Sequence, residues 1–231
     1  MSSWIDFWNN NHSIYVNNLH KKAHSERLLE DIDEWISNKN FSVLDFGCGE
    51  ALYAEELAKR CAQLVLVDSS KNMRETLISR TKSVNSISIL GLEEFDDLSN
   101  SSFELIIVNS VFQYMQLDET QTTLRKLSSK LKSNGKLIIA DVIPPDLSMA
   151  SDVISLLKFG LRNGFFFMSL VGMLKTFFSN YTSLRREVGL SVYSIEDFTN
   201  LLIQNGFEVK LMPRNFGHNQ SRKCFCATKN H

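Results

Sequence analysis

Val43-Leu44-Asp45-Phe46-Gly47-Cys48-Gly49-Glu50-Ala51 joins a short apolar run to a turn that carries two glycines. The run FSVLDF, residues 41–46, has the continuous apolar character of a strand buried on both faces of a parallel sheet. Glycines at 47 and 49 let the backbone turn sharply and approach a ligand with no Cβ in the way. ALYAEELAKR, residues 51–60, then reads as a helix whose start offers free N–H groups to a negatively charged moiety. LVLVD, residues 64–68, follows as a second buried strand, and Asp68 ends it nineteen residues beyond Gly49.

The pattern repeats outward. A helix over 71–80 leads to the strand SISIL (86–90), and FELIIVN (103–109) leads to a helix over 117–132. Asn134-Gly135 breaks that helix before KLIIAD (136–141). Upstream, Leu19, Ala23, Leu28, Leu29, Ile32 and Ile36 recur at helical spacing over 19–37. After a helix over 194–205, GFEVKLM (206–212) and KCFCATK (223–229) are strands joined by ten residues. That gap is too short for a helical crossover, so the pair is expected to be an antiparallel hairpin.

Buried strands alternating with amphipathic helices predict an α/β fold: a Rossmann-like, doubly wound, mostly parallel seven-stranded sheet with an antiparallel C-terminal hairpin strand and helices on both faces. One domain is expected over 1–231, with residues 1–40 as an N-terminal helical cap and 143–192 as a helical insertion between strands five and six. Ligands of such sheets bind at the carboxyl ends of the strands. Those ends are Asp45–Gly49, Asp68, Gly91–Glu93, Asn109–Ser110 and Asp141. If strand 206–212 runs parallel to the others, the loop 213–221 opens over the same edge.

An acid ending the second strand can accept both hydroxyls of an adenosine ribose. The dinucleotide fingerprint G-x-G-x-x-G fails, because Leu52 stands at its sixth position, which makes a nicotinamide oxidoreductase the weakest reading. Glycines 47 and 49 serving strand–helix packing alone would leave Asp45 and Asp68 without a purpose. What remains, Asp45-x-Gly47-x-Gly49 plus a distal acid, resembles motif I and the post-I acid of the class I S-adenosylmethionine-dependent methyltransferases. Position 51, often glycine there, is alanine here.

The resemblance extends over 41–141 and 194–228. It implies a small-molecule methyltransferase with S-adenosyl-L-methionine as cofactor and S-adenosyl-L-homocysteine as product. By the same resemblance, Asp45, Gly47, Cys48 and Gly49 hold the cofactor, Cys48 through its backbone. Asp68, Ser69 and Met73 flank the ribose and adenine, and Leu92 and Glu93 lie where the family meets the adenine amino group, the usual acid being displaced or replaced by Leu92. Asn109 and Ser110 end the fourth strand beside the site, and the segment of His12 and Tyr15 folds over the cofactor.

Methyl transfer from a sulfonium is an in-line displacement, and much of its catalysis comes from proximity and orientation. A base is needed only if the acceptor starts protonated. The candidates are His218 in the hairpin loop, Asp141 at the end of the fifth strand, Tyr114 and His12; for His218 the alternative is simple solvation, and for Asp141 the ending of a strand. His20 and His24 sit on a charged helix and read as surface residues. Asn109 leads into Ser110-Val111-Phe112, not an Asn-Pro-Pro-Tyr motif, which argues against methylation of an adenine or a glutamine amide.

Composition narrows the partner. The 231 residues carry 25 Lys plus Arg against 26 Asp plus Glu, with no basic stripe of the kind that neutralises phosphates, so no nucleic acid is expected. Cysteines 48, 61, 224 and 226 form no C-x-x-C pair, so neither a metal site nor a disulfide framework is expected. The first fifteen residues show no basic segment followed by an apolar one, and a reduced, cytoplasmic protein is expected. Residues 159–178 hold six of the 16 phenylalanines and only Arg162 and Lys175 as charges. As a helix, 165–178 would be apolar nearly all round except for Ser169, Gly172 and Thr176, and it is shorter than the about 20 residues that span a bilayer. It is open to three readings: a lid over an apolar acceptor pocket, a homodimer interface, or a peripheral membrane contact with Arg185 and Arg186 near headgroups. The acceptor is expected to be a small, apolar or amphipathic molecule. The alternatives are a membrane-surface lipid or quinone methyltransferase and a non-catalytic cofactor-binding subunit.

Overall fold

The computed structural model describes residues 8, 15, 17–177 and 189–229, with 149 and 172–177 described by backbone alone. His12, Arg185 and Arg186 lie outside the described residues. The elements run α1 (Asn18–Asp33), β1 (Ser42–Phe46), α2 (Ala54–Ala58), β2 (Gln63–Val67), α3 (Lys71–Thr81), β3 (Ile87–Leu90), α4 (Leu92–Asp96) and β4 (Phe103–Asn109). They continue with α5 (Leu117–Lys130), β5 (Leu131–Val142), α6 (Met149–Arg162), α7 (Phe166–Phe177), α8 (Ile195–Gln204), β6 (Phe207–Leu211) and β7 (Lys223–Lys229).

Seven strands form one sheet in the order β3-β2-β1-β4-β5-β7-β6. β1 pairs in parallel with β2 on one side and β4 on the other, so the strand order reverses beside β1 and opens a crevice at its carboxyl end. β7 runs antiparallel to both β5 and β6. β6 is therefore parallel to the remaining strands, and the loop that follows it lies at the same edge as the ends of β1 and β4.

Alternation along each strand sends side chains to two cores, one on each face. Leu44 and Phe46 of β1 pack with Ile106, Leu124 and Phe198, which brings α5 and α8 onto one face. Val43 packs with Leu28, Ile32, Leu57 and Leu77, which brings α1, α2 and α3 onto the other. Each fully buried leucine or isoleucine contributes about 1.5–3 kcal/mol relative to exposure.

Two local features depart from the sequence reading. His20 is buried and His24 half-buried on the inward side of α1, whereas a surface position was expected for both. The inward stripe of α1 is His20, His24, Leu28, Asp31 and Ile32, while Leu19 is 56% exposed. In α7 the polar stripe also points inward at Ser169, which is fully buried. A Cβ on Gly160 would sit 2.4 Å from Ser169 Oγ, so α6 and α7 close on two small residues. Phe167, Leu170 and Val171 are left on the outside, Phe167 at 80% exposure. No helix of the described residues is long and apolar enough to cross a membrane.

α1 is fastened over the sheet edge by Asp31, which is 1% exposed. Its carboxylate accepts from Gly217 N at 2.7 Å and pairs with Arg27 at 2.9 Å and Arg214 at 3.0 Å. Burial raises its pKa, opposed by the Gly217 N–H and the two guanidinium groups. Asp31→Ala leaves that N–H and both cations without their shared acceptor. It should lower the unfolding free energy by about 2–4 kcal/mol in urea denaturation. A loss below about 1 kcal/mol would show the clamp to be idle.

Candidate active site

The crevice beside β1 opens into a cavity of about 520 Å³. Its floor is the turn after β1. Gly47 has φ +73° and Gly49 φ +57°, left-handed conformations that glycine adopts without strain. A Cβ on Gly47 would meet Val111 Cγ2 at 2.4 Å, so no side chain fits there, whereas a Cβ on Gly49 would meet nothing within 4 Å. The turn is pinned to β2, because Gly47 N and Cys48 N both donate to Val67 O, at 2.8 and 3.1 Å.

Asp68 follows Val67 and completes the cradle. Its Oδ2 accepts from Gly49 N and its Oδ1 from Ser70 N, both at 2.8 Å. Burial raises its pKa against those two bonds and the nearby Arg74. Ser70 caps α3 by accepting from Met73 N at 3.3 Å, and its hydroxyl donates to Trp8 O at 3.0 Å. Met73 and Trp8 are thereby set at the cavity wall, and Trp8 stands edge-on to Tyr114 at 5.6 Å.

Asp45 lies beneath the turn, 2% exposed, and accepts from Tyr53 Oη at 2.5 Å. Burial pushes its pKa up to about 7, opposed by the Tyr53 hydrogen bond and reinforced by the Asp68 charge. Burial together with Asp45 and Asp68 raises the Cys48 thiol, so at neutral pH it is un-ionised, and the turn uses its backbone. Tyr15 closes the α1 side, its hydroxyl pushed up to about 12 by burial and by Glu50.

Asp45, Gly47, Cys48, Gly49, Asp68 and Ser69 therefore line one cavity. Tyr15, Met73, Leu92, Asn109, Ser110 and Tyr114 line it too. Glu93 lies outside the lining, exposed on the first turn of α4, where its neighbour Glu94 accepts from Gly91 N at 2.6 Å. Tyr53, Trp8 and His24 belong to the lining without having been singled out for it. Among the described lining residues there are five carboxylates, Asp45, Glu50, Asp68, Asp118 and Glu119, and no lysine or arginine.

Asp141 and His218 stand at the same edge but outside this lining. Asp141 has φ +66° and pairs with Arg222 at 2.6 Å. It also accepts from Ser110 Oγ at 2.5 Å and, more weakly, from Asn215 Nδ2 at 3.4 Å. His218 stacks on Phe159 at 4.7 Å, and its Nδ1 is buried without a hydrogen-bond partner. Its ring centroid lies 6.0 Å from that of His20 and 6.1 Å from that of His24. Burial pushes all three histidines down to about 4, so they are neutral at neutral pH. The described His, Cys, Asp and Glu residues form no group that could hold a metal ion.

The raised Asp45 has a measurable consequence. With a folded pKa of about 7 and an ordinary value near 4 when unfolded, Asp45 costs stability as pH rises through that window. Asp45→Asn keeps an acceptor for Tyr53 and removes the titration. Relative to wild type, the variant should gain about 2–4 kcal/mol of unfolding free energy between about pH 4 and pH 8, read from urea curves without ligand. A variant-minus-wild-type difference that stays constant with pH would show that Asp45 ionises normally.

Comparison with known proteins bears on the same strands. Residues 44–139, from within β1 to within β5, match the family described as "Methyltransferase domain". An uncharacterized methyltransferase of Schizosaccharomyces pombe is 30% identical over 137 residues, 53% of this chain and 48% of that one. An uncharacterized methyltransferase of Bacillus cereus is 31% identical over 128 residues, 54% of this chain and 56% of its own. The chain thus spans about half the length of the curated relatives it matches. Among solved structures, magnesium protoporphyrin IX methyltransferase from Synechocystis PCC 6803 with bound SAH aligns at a TM-score of 0.61 and 16% identity, over 98% of this chain and 93% of that one. A putative S-adenosyl-L-methionine-dependent methyltransferase from Methanococcus maripaludis aligns at 0.61 and 16%, over 96% of each chain; at such identity these likenesses speak for the fold. The paired-glycine turn, the acid after β2 and the matched methyltransferase domain fall on one set of strands, and with these relatives and neighbours they support a class I S-adenosylmethionine-dependent methyltransferase.

Proposed function

We propose that the chain binds S-adenosylmethionine in the cavity beside β1 and transfers its methyl group, by in-line displacement, to a small, partly hydrophobic acceptor. The observation that carries this reading is the cradle itself. Gly49 leaves open space above the turn, and Asp68 is held at its rim by two backbone N–H groups with lone pairs left to accept ribose hydroxyls. The five carboxylates and the absence of lysine and arginine in the described lining suit a cofactor whose sulfur is positively charged. When bound, S-adenosylmethionine supplies an electrophilic methyl group and is released as S-adenosylhomocysteine.

The chain's own residues bind, orient and shield. Trp8, Tyr15 and Tyr114 wall the cavity against water. Asp141, engaged by Arg222 and Ser110, acts in this reading as a positioning residue that fixes Ser110 at the end of β4. His218, neutral and with an unpartnered Nδ1, is the proposed base for an acceptor that starts protonated. The insertion lies beside it, and the outward Phe167, Leu170 and Val171 favour a second reading, peripheral contact with a lipid surface through 159–178.

Calorimetric titration with S-adenosylmethionine and S-adenosylhomocysteine tests the first reading. Micromolar binding should weaken about tenfold or more in Asp68→Ala, as the loss of a charge-assisted pair to the ribose requires. No binding by folded wild-type protein would overturn it, and binding without turnover on any acceptor would favour a non-catalytic subunit. The lipid reading predicts co-sedimentation with liposomes that falls at least about threefold when Phe167 and Val171 are both replaced by serine; an unchanged bound fraction removes it.

A further inference from the structure

A second cavity, of about 800 Å³, lies on the far side of the histidines, between α1, α6 and the loop after β6. That is within the range of small-molecule sites. We propose that this cavity binds an anionic amphiphile: an apolar body ending in a carboxylate, sulfate or phosphate group. The chemical class of this ligand rests on the cavity alone and is independent of the methyl-transfer reading.

The class follows from which charges are already engaged. Two carboxylates line the cavity, Glu26 paired with Lys22 and Glu30 with Arg27, and of its four cationic side chains two, Arg27 and Arg214, are committed to the buried Asp31. The other two, Lys158 and Arg162, are exposed, one helical turn apart on α6, and neither forms an ion pair with any described residue. Ile154, one turn earlier on the same face, and Phe159 beside it supply apolar contact. A ligand bearing an anion at the Arg162 end and an apolar body along Ile154 and Phe159 matches that order. The first cavity, with five carboxylates and no described lysine or arginine, would repel such a group.

Two imidazole rings, those of His24 and His218, part the two cavities. His24 lines the first, and Gly217 and His218 line the second. A Cβ on Gly217 would lie 3.5 Å from His24 Cε1, and the rings of His24 and His218 are 6.1 Å apart. A ligand seated with its anion at Lys158 and Arg162 therefore turns its apolar end toward these rings, which keep it apart from the cavity beside β1.

The experiment pairs two fluorescent probes of nearly the same ring frame: anilinonaphthalene sulfonate, which is anionic, and phenylnaphthylamine, which is uncharged. Full-length wild type is compared with Lys158→Gln/Arg162→Gln, with circular dichroism confirming the fold, and with Phe167→Ser, which alters the outward face of α7. The double variant should bind the sulfonate about fivefold or more weakly and the neutral probe within about twofold of wild type, while Phe167→Ser changes neither. Equal losses for both probes, an unchanged sulfonate affinity, or a sulfonate loss confined to Phe167→Ser would each overturn the proposal. Titration with S-adenosylhomocysteine separates the two readings. The double variant should bind it as wild type does, and a wild type that binds the sulfonate through Lys158 and Arg162 but not S-adenosylhomocysteine would leave the anion site standing and remove the methyl-transfer reading.

Discussion

The site depends on one carboxylate bridging two strand ends. Asp68 follows the last residue of β2, and its two oxygens take the N–H of Gly49, from the turn after β1, and the N–H of Ser70, the cap of α3. Each charge-assisted bond is worth about 1.5–3 kcal/mol and offsets the cost of a carboxylate that burial would otherwise protonate. The parallel register that ends in Phe46 opposite Val67 sets the reach of that bridge, and the two bonds to Val67 O keep the turn from lifting. With these in place, α3 starts where its cap can also hold the backbone of Trp8 over the cavity.

Backbone strain gathers at the same edge. Ser110 and Asp141, at the ends of β4 and β5, both have left-handed φ, +60° and +66°, although neither is glycine. Such conformations cost about 1–3 kcal/mol each and persist where surroundings over-determine them. Here the surroundings are specific: the Ser110 hydroxyl donates to Asp141, Arg222 pairs with the same carboxylate, and Asn215 accepts from the Asp141 N–H at 2.9 Å. Arg222 in turn reaches Asp152 on α6, so the insertion and the strained strand ends form one polar network. That arrangement fits a carboxylate that positions its neighbours better than one free to exchange protons.

The sheet was legible because its strands carry a pattern that nothing else in the chain imitates. Val43, Leu44 and Phe46 leave no solvent face, and ten residues between 212 and 223 permit only a hairpin. Asp45, Gly47, Gly49 and Asp68 were legible for the same reason, since strand ends fix their place. The stripe that α1 turns inward was not. It contains His20, His24 and Asp31, and an apolar-periodicity reading favours Leu19 instead. These polar side chains are buried because distant segments neutralise or pack them: Phe165 stacks on His20 at 5.1 Å, and Arg214 and Gly217 meet Asp31. Tyr53 and Arg222 escaped notice likewise, their partners Asp45 and Asp141 being set by the fold and not by spacing.

Histidine suits the wall between the cavities for a physical reason. A lysine or arginine there would carry its charge into contact with the carboxylate-lined cavity beside β1, and a carboxylate would oppose an anion held at Lys158 and Arg162 on the other side. An imidazole kept down at about 4 by burial is neutral across the physiological range, packs on Phe159 and Phe165 as an aromatic ring, and still offers a nitrogen lone pair. Protonating one of the three places a charge about 6 Å from the other two rings, which further disfavours the charged form. The wall therefore parts the two differently charged cavities with neutral aromatic side chains.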